Sequence, residues 1–383
     1  MISHRKTWHC WLAALCITTV LTGAHHALAQ ENWQGSWGAS PAFAIGPELS
    51  NATVRQYVRL SIGGSKVRLR FSNETSTQPL VIGAARIARP GNAPGSIDPA
   101  SSKALTFGGA SSITVPPGAP VLSDPVDLTV SSLDTLAVSL FLPRWTGPSV
   151  VHALGEQTAY LSNAGDTTDA ATLPEATTET MRFMLSRIEV LAEGGTVVTL
   201  GDSITDGYGS GTDANKRWPD ILAERLSKQD GAAVGVVNAG ISGNRILHDL
   251  PEAAFGPSAL SRLDRDVLSV PNLRWVVIME GINDIGHPTS AGLSEQAVTA
   301  QELIGGLKQI VARVHGHGAK AYCATLTPYE GTAFANYYTP EGEKKRQAVN
   351  DWIRTAKGCD AVVDFDAAVR DPENPAKLRA DFD

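Results

Sequence analysis

Thr196-Val197-Val198-Thr199-Leu200 is an apolar run that breaks into Gly201-Asp202-Ser203-Ile204-Thr205-Asp206-Gly207, a polar turn with glycine at each end. The run predicts a buried strand, and the turn predicts a loop at its carboxyl end. In open α/β sheets ligands collect outside the carboxyl ends of the strands, where backbone N–H groups converge. A serine at that edge is a candidate nucleophile. Taken alone, Asp202-Ser203 reads more readily as a helix cap. Two further turns reverse that preference.

Asn238-Ala239-Gly240-Ile241-Ser242-Gly243-Asn244 follows the apolar run Val234 to Val237, and Glu280-Gly281-Ile282-Asn283-Asp284 follows Trp275 to Met279. Strands of one parallel sheet point the same way, so three such turns gather on one rim. Helical patterns fill the intervals. Trp218-Pro219-Asp220 opens one helix with proline in its first turn. Another runs near Gln296 to Val314, with Leu303, Leu307, Ile310, Val311 and Val314 on one side, and a third covers Glu341 to Ala356. The alternation predicts an α/β fold with a doubly wound parallel sheet.

This ordered set of turns resembles the sequence blocks of the GDSL esterases of the SGNH hydrolase superfamily. The resemblance implies a flavodoxin-like sheet from about Val197, with Ser203 as the nucleophile. It also implies an oxyanion hole made by the Ser203 N–H, the Gly240 N–H and the Asn283 side-chain amide. The chemistry agrees: fixed donors aimed at the oxygen of a tetrahedral intermediate stabilise its charge as it develops. Glycine lets that oxygen approach the backbone, and an amide donates without bringing a charge of its own. The family's last block is an Asp-x-x-His pair that supplies the base, and the expectation is that it follows Asp383, since no histidine occurs after His317. His248 and His287 are read as loop or substrate-contact residues, and His315 and His317 as residues at a helix end on the opposite rim. Glu280 and Asp284 border the site, with tuning and turn-forming roles both open. The resemblance implies no metal and no cofactor, in keeping with a sequence without His-Glu-x-x-His, Cys-x-x-Cys or a phosphate-binding loop.

The chain has 383 residues and a formal net charge of −7 with interspersed signs, which argues against a nucleic-acid partner. His4, Arg5 and Lys6, the apolar stretch Trp11 to Leu21, and Ala27-Leu28-Ala29 predict an export signal over residues 1–29. That stretch is shorter than the roughly 20 residues a spanning helix needs, so the expectation is a secreted or periplasmic protein with no membrane partner. Cys10 and Cys16 leave with the signal. Cys323 and Cys359 are read as two buried thiols, with pairing left open.

Residues 30–192 read as an all-β sandwich or jelly-roll domain, and residues 193–383 as the hydrolase domain. Val67, Leu69 and Phe71 alternate with Lys66, Arg68 and Arg70, and the run Val54 to Ile62 leads through Gly63-Gly64 into them, predicting a hairpin. Further strands are expected at Leu80 to Ala88, Ile113 to Val115, Val126 to Val130, Leu136 to Leu142 and Phe183 to Leu191. Similar β-domains precede the hydrolase domain in some bacterial GDSL enzymes, including acylhydrolases associated with plant-polysaccharide breakdown, and Trp33-Gln34-Gly35-Ser36-Trp37 resembles their start. Trp33, Trp37 and Trp145 are read as packing residues ahead of glycan contacts. Arg55, Arg59, Arg68 and Arg70 are read as a solvated sheet face. The expected function is an exported serine esterase acting on short acyl esters, acetyl among them, of carbohydrate or aryl alcohols. The alternative is a non-catalytic glycan-binding protein on the same scaffold. Acyl group, alcohol and oligomeric state are not legible in the sequence.

Overall fold

Five parallel strands carry the three turns. They lie in the order Ala233–Gly240, Gly194–Gly201, Leu273–Met279, Lys320–Ala324, Ala361–Val363, so the first strand in the chain sits between the second and third. This is the flavodoxin-like order, and its reversal point falls at the strand that ends in Gly201. In register, Gly201 lies opposite Gly240 on one side and Met279 on the other. The three turns therefore leave the sheet at one level. The computed structural model describes Met1 and residues 31–249, 252–355 and 358–382; the expected export signal lies outside the described residues apart from Met1.

The helices form where the patterns place them. Trp218–Leu226 has proline in its first turn. Ala300–Gly316 begins at Thr299, whose side chain accepts from the Glu302 N–H while Glu302 reciprocates. Its buried face of Leu303, Leu307, Ile310, Val311 and Val314 packs in one core with Val198, Leu200, Val276 and Ile278 of the sheet. The helix Pro340–Thr355 contributes Val349 and Ile353 to that core. On the opposite sheet face Val197, Val236 and Val277 pack with Trp218, Leu222 and Leu226 beside an apolar groove of about 1020 Å³. No helix among the described residues is long and apolar enough to cross a membrane.

The N-terminal half is built of antiparallel strands. Ala52–Arg59 pairs with Thr135–Leu142 and Ala159–Ser162, whereas Val67–Ser72 pairs with Leu185–Leu191 and Pro120–Leu122. The hairpin expected through Gly63-Gly64 is therefore not formed, because its two arms enter different sheets. Val54 and Val58 of one sheet and Leu69 and Phe71 of the other share one apolar core, so the connection passes between layers. The arginines also depart from expectation. Arg55 is fully buried, with its guanidinium donating to Ser139 Oγ and to the carbonyls of Gly95 and Ala170, and Arg70 is buried against Glu74 and Ser186. A period-two pattern assigns these positions to a water face, but the segments that carry Gly95 and Thr168 to Ala171 fold over Arg55, and Glu74 and Ser186 take up Arg70.

From Asn32 onward the chain is one compact unit. Strand Ala233–Gly240 is an edge of the parallel sheet, and the β-rich half covers it: Ser61 Oγ accepts from the Val236 N–H at 2.8 Å, and Arg59 pairs with Glu224 at 2.8 Å. Capping that edge removes a row of unpaired backbone groups. Cys323 and Cys359 are joined in a disulfide with Cα atoms 5.9 Å apart. Cysteine burial favours two thiols, but the pairing of Lys320–Ala324 with Ala361–Val363 brings the sulfurs together.

Candidate active site

Ser203 begins the short helix Ser203–Asp206, directly after the strand that ends at Gly201. Asp202 is the N-cap and its carboxylate accepts from the Ile204 N–H at 3.0 Å. The cap and the candidate nucleophile are thus adjacent residues with separate duties. Gly207, at φ 107°, ends the helix in the left-handed region. Ser203 is half-buried, and among the described residues its hydroxyl has no hydrogen-bond partner.

Asn283 is held from two sides. Its Nδ2 donates to the Asn244 carbonyl at 2.9 Å, and its Oδ1 accepts from the Tyr337 hydroxyl at 2.6 Å. One amide proton remains. The side chain is 4 % exposed, so its orientation is fixed by those two bonds and not by water.

Gly240 stands close to Ser203 in a different capacity from the one expected. Its N–H donates to Asn238 Oδ1 at 2.8 Å, and Asn238 Nδ2 donates to the Thr205 carbonyl at 2.8 Å. The Gly240 N–H, expected in the oxyanion hole, is therefore committed within the fold. A Cβ at Gly240 would collide with the backbone nitrogen of Asp206, so the missing side chain lets the strand end approach the nucleophile helix. The free donor in this turn is three residues later. Gly243 has φ 77°, and among the described residues its N–H has no hydrogen-bond partner. Ser242 before it donates N–H and Oγ–H to Asp206 Oδ2, both at 2.8 Å, while Asn244 after it receives Asn283. Gly243 is therefore suspended between the helix of Ser203 and the side chain of Asn283.

Beneath the turns lies a set of buried charges. Arg262 is fully buried and donates to the carbonyls of Ala239 at 2.6 Å and Gly201 at 3.2 Å and to Asn244 Oδ1 at 2.9 Å. One cation gathers two strand ends and the second turn. Asp266 lies 3.3 Å from it and Glu280 lies 3.7 Å from it. Burial, reinforced by the Asp202 charge, raises the Glu280 carboxyl well above its ordinary range. Burial also pushes Asp202 up to about 7 and Asp284 up to about 6. Asp284 accepts the N–H groups of Ile246 at 2.8 Å and Leu247 at 3.1 Å, so it anchors the chain just beyond Gly243.

The histidines are distributed by packing. His287 stacks on Phe255 with ring centroids 5.6 Å apart and meets Tyr337 edge-on at 5.3 Å. Burial pushes it down to about 4, so it is neutral at pH 7. It supports the Tyr337 ring that holds Asn283. His248 lends its backbone carbonyl to Arg245, and His315 bonds Asp360 at 2.7 Å beside the last strands, away from the three turns.

The sequence does not single out Gly243, Arg262, Tyr337 or His152, whose Nε2 lies 2.8 Å from Asp206 Oδ1, as neighbours of the three turns. The second glycine of the turn was visible as a candidate for positive φ. The other three come from segments far from the three blocks, and nothing local distinguishes them.

A family model for the GDSL-like lipase/acylhydrolase family matches residues 199–383. No curated protein matches the chain. Among solved structures, the chain is similar to an aryl esterase of Mycobacterium smegmatis, with 20% identity over 49% of this chain and 91% of that one and a TM-score of 0.38. It is similar to the psychrotrophic esterase EstA from a Pseudoalteromonas species, with 18% identity over 48% and 89% of the two chains and a TM-score of 0.34. An acetyl xylan esterase shares 21% identity over 44% and 76%, with a TM-score of 0.31.

Proposed function

Residues 199–383 belong to the GDSL-like lipase/acylhydrolase family, and on that footing we propose that the protein is an exported serine esterase that removes short acyl groups, acetyl among them, from carbohydrate or aryl esters. The observation that carries this reading is Asn283, locked by Tyr337 and Asn244 with one amide proton left over, on the same rim as Ser203. In the mechanism Ser203 Oγ attacks the ester carbonyl as its proton passes to a base. The tetrahedral oxygen takes hydrogen bonds from the N–H groups of Ser203 and Gly243 and from Asn283 Nδ2. Collapse expels the alcohol and leaves an acyl-serine, which water hydrolyses.

The preference for short acyl groups rests on where apolar surface lies. The large apolar groove is lined by Trp218, Leu222, Trp275, Tyr322 and Phe365, and none of Ser203, Gly243 or Asn283 borders it. A glycan-binding surface would use exposed aromatics; of the three tryptophans considered for it, Trp33 is buried, Trp37 packs under the Arg182 guanidinium and Trp145 is 53 % exposed.

The test is covalent labelling with a serine-reactive phosphonate, located by peptide mass spectrometry. Because no described side chain accepts the Ser203 proton, imidazole is included as an external base. Label on Ser203, lost in Ser203→Ala, supports the esterase; label that survives Ser203→Ala overturns it.

A further inference from the structure

A buried side chain of the β-rich half reaches the helix of Ser203. His152, on strand Ser149–His152, places Nε2 2.8 Å from Asp206 Oδ1 and 3.2 Å from the Leu154 carbonyl, and Nδ1 2.8 Å from the Ser40 carbonyl. Every one of these partners is an acceptor. Both ring nitrogens must therefore carry protons, and the ring is an imidazolium paired with the Asp206 carboxylate. Both side chains are buried. Burial opposes the charge on His152, but the Asp206 carboxylate and the Ser40 carbonyl outweigh it, and the imidazole is held above its ordinary range.

Asp206 has two oxygens with two destinations. Oδ1 takes His152, while Oδ2 takes the N–H and the hydroxyl of Ser242. Asp206 is also the last residue of the helix that starts with Ser203. A carboxylate held at one oxygen by a buried cation has one orientation available to the other, and that orientation sets the peptide that precedes Gly243.

We propose that His152 is a positioning residue for acyl transfer: through Asp206 it fixes the Ser242–Gly243 turn, so the β-rich half is an integral part of the oxyanion-binding apparatus. This rests on the esterase reading above. It assigns the β-rich half a task that a detachable substrate-binding module would not have. Misplacing one oxyanion donor acts on the transition state and leaves ground-state binding of a small ester nearly untouched, so the signature is a loss in kcat without a matching change in KM.

The experiment measures kcat and KM for p-nitrophenyl acetate with the full chain, imidazole present throughout and Ser203→Ala as the blank. His152→Ala, His152→Gln and Asp206→Asn are compared, each with its melting temperature. Glutamine can return one N–H donor toward Asp206 without the ring. We expect His152→Ala to lower kcat about 10-fold or more with KM within about twofold, and His152→Gln to recover most of that loss. Amide hydrogen exchange at Ser242 should accelerate in His152→Ala while the five sheet strands stay protected, which separates loss of the turn from loss of the fold. An unchanged kcat in His152→Ala, or a loss that His152→Gln does not repair, overturns the positioning role and leaves the esterase standing. Wild-type turnover equal to Ser203→Ala overturns the esterase reading and this role together.

Discussion

The Tyr337 hydroxyl donates to Asn283 Oδ1 at 2.6 Å, and this bond decides which end of the amide faces the Ser203 rim. Without it, the carboxamide could rotate and present its oxygen to a developing oxyanion. Removing Asn283 should cost one oxyanion donor, about 10²- to 10³-fold in kcat for Asn283→Ala. Tyr337→Phe removes only the orienting bond, worth about 1 kcal/mol or about fivefold. Steady-state kinetics on p-nitrophenyl acetate check both; a Tyr337→Phe effect as large as that of Asn283→Ala would mean that the amide donates only while the hydroxyl holds it, and no effect would mean that the Asn244 carbonyl orients it alone.

Among the described residues the Ser203 hydroxyl lacks an acceptor, while Asn283 and Gly243 retain spare N–H donors. On the esterase reading, these described residues supply donors for an oxyanion and no acceptor for the Ser203 proton. Imidazole should accelerate Ser203-dependent hydrolysis by this 383-residue chain in a concentration-dependent way, beyond its effect on Ser203→Ala. Equal acceleration of both forms would remove Ser203 from the reaction.

Gly240 and Gly243 separate by experiment. A Cβ at Gly240 meets the backbone of Asp206 and Thr205, which cannot swing aside as a side chain could. Gly240→Ala should lower stability by about 1–3 kcal/mol, the usual range for overpacking. Urea unfolding measures it. A stable Gly240→Ala would show that the strand end and the nucleophile helix have room to part.

The parallel sheet was legible because its strands are fully apolar runs that end abruptly in glycine-bearing turns, and each turn fell at the expected rim. The placing of Ser203 and Asn283 at strand ends on that rim was legible for the same reason. In the second turn the N–H without a partner among the described residues is that of Gly243 and not that of Gly240, because sequence shows which residues lack a Cβ but not which N–H groups are already bonded. The sheets of the β-rich half were harder to read. Val54 and Val67 runs separated by two glycines look like a hairpin until the core between Val58 and Leu69 is formed. Arg55 reads as a surface charge, and Arg262 carries no signal at all, because nothing near them in the chain announces the carbonyls that surround them.

The disulfide closes a 36-residue separation and ties the last two strands at the sheet edge. Chain-entropy arguments give such a loop about 4 kcal/mol of stabilisation, acting through the unfolded state. Cys323→Ser/Cys359→Ser, or reduction, should lower the unfolding free energy by up to that amount while leaving Ser203-dependent hydrolysis intact. Thermal unfolding with and without reductant checks it; an unchanged melting temperature would place the two sulfurs apart in solution.

Stability should fall as pH rises from about 6.5 to 8. Burial holds Asp202 up to about 7 and raises Glu280 well above its ordinary value, and His152 is raised by Asp206 against its own burial. In this window the folded chain keeps protons that the unfolded chain has released, since unfolded carboxyls titrate near 4 and unfolded histidine near 6.5. Where the folded state binds more protons, unfolding becomes easier as pH rises. Asp284, at about 6, adds the same sign at the lower edge of the window. His287, pushed down to about 4 by burial, acts oppositely, but only below about 6.5, where its unfolded form begins to take a proton. Asp364, held down to about 2 chiefly by Arg354, titrates well below the window, and Arg182, pushed down to about 9 by burial, above it. Calorimetry at pH 6.5 and 8 should show a lower melting temperature at pH 8. The drop should shrink in Asp202→Asn, which keeps an N-cap acceptor for Ile204 but no longer titrates. A flat wild-type profile would mean that Asp202 and Glu280 are ionised in the fold, with Arg262 and water compensating them more fully than a 3.7 Å ion pair suggests.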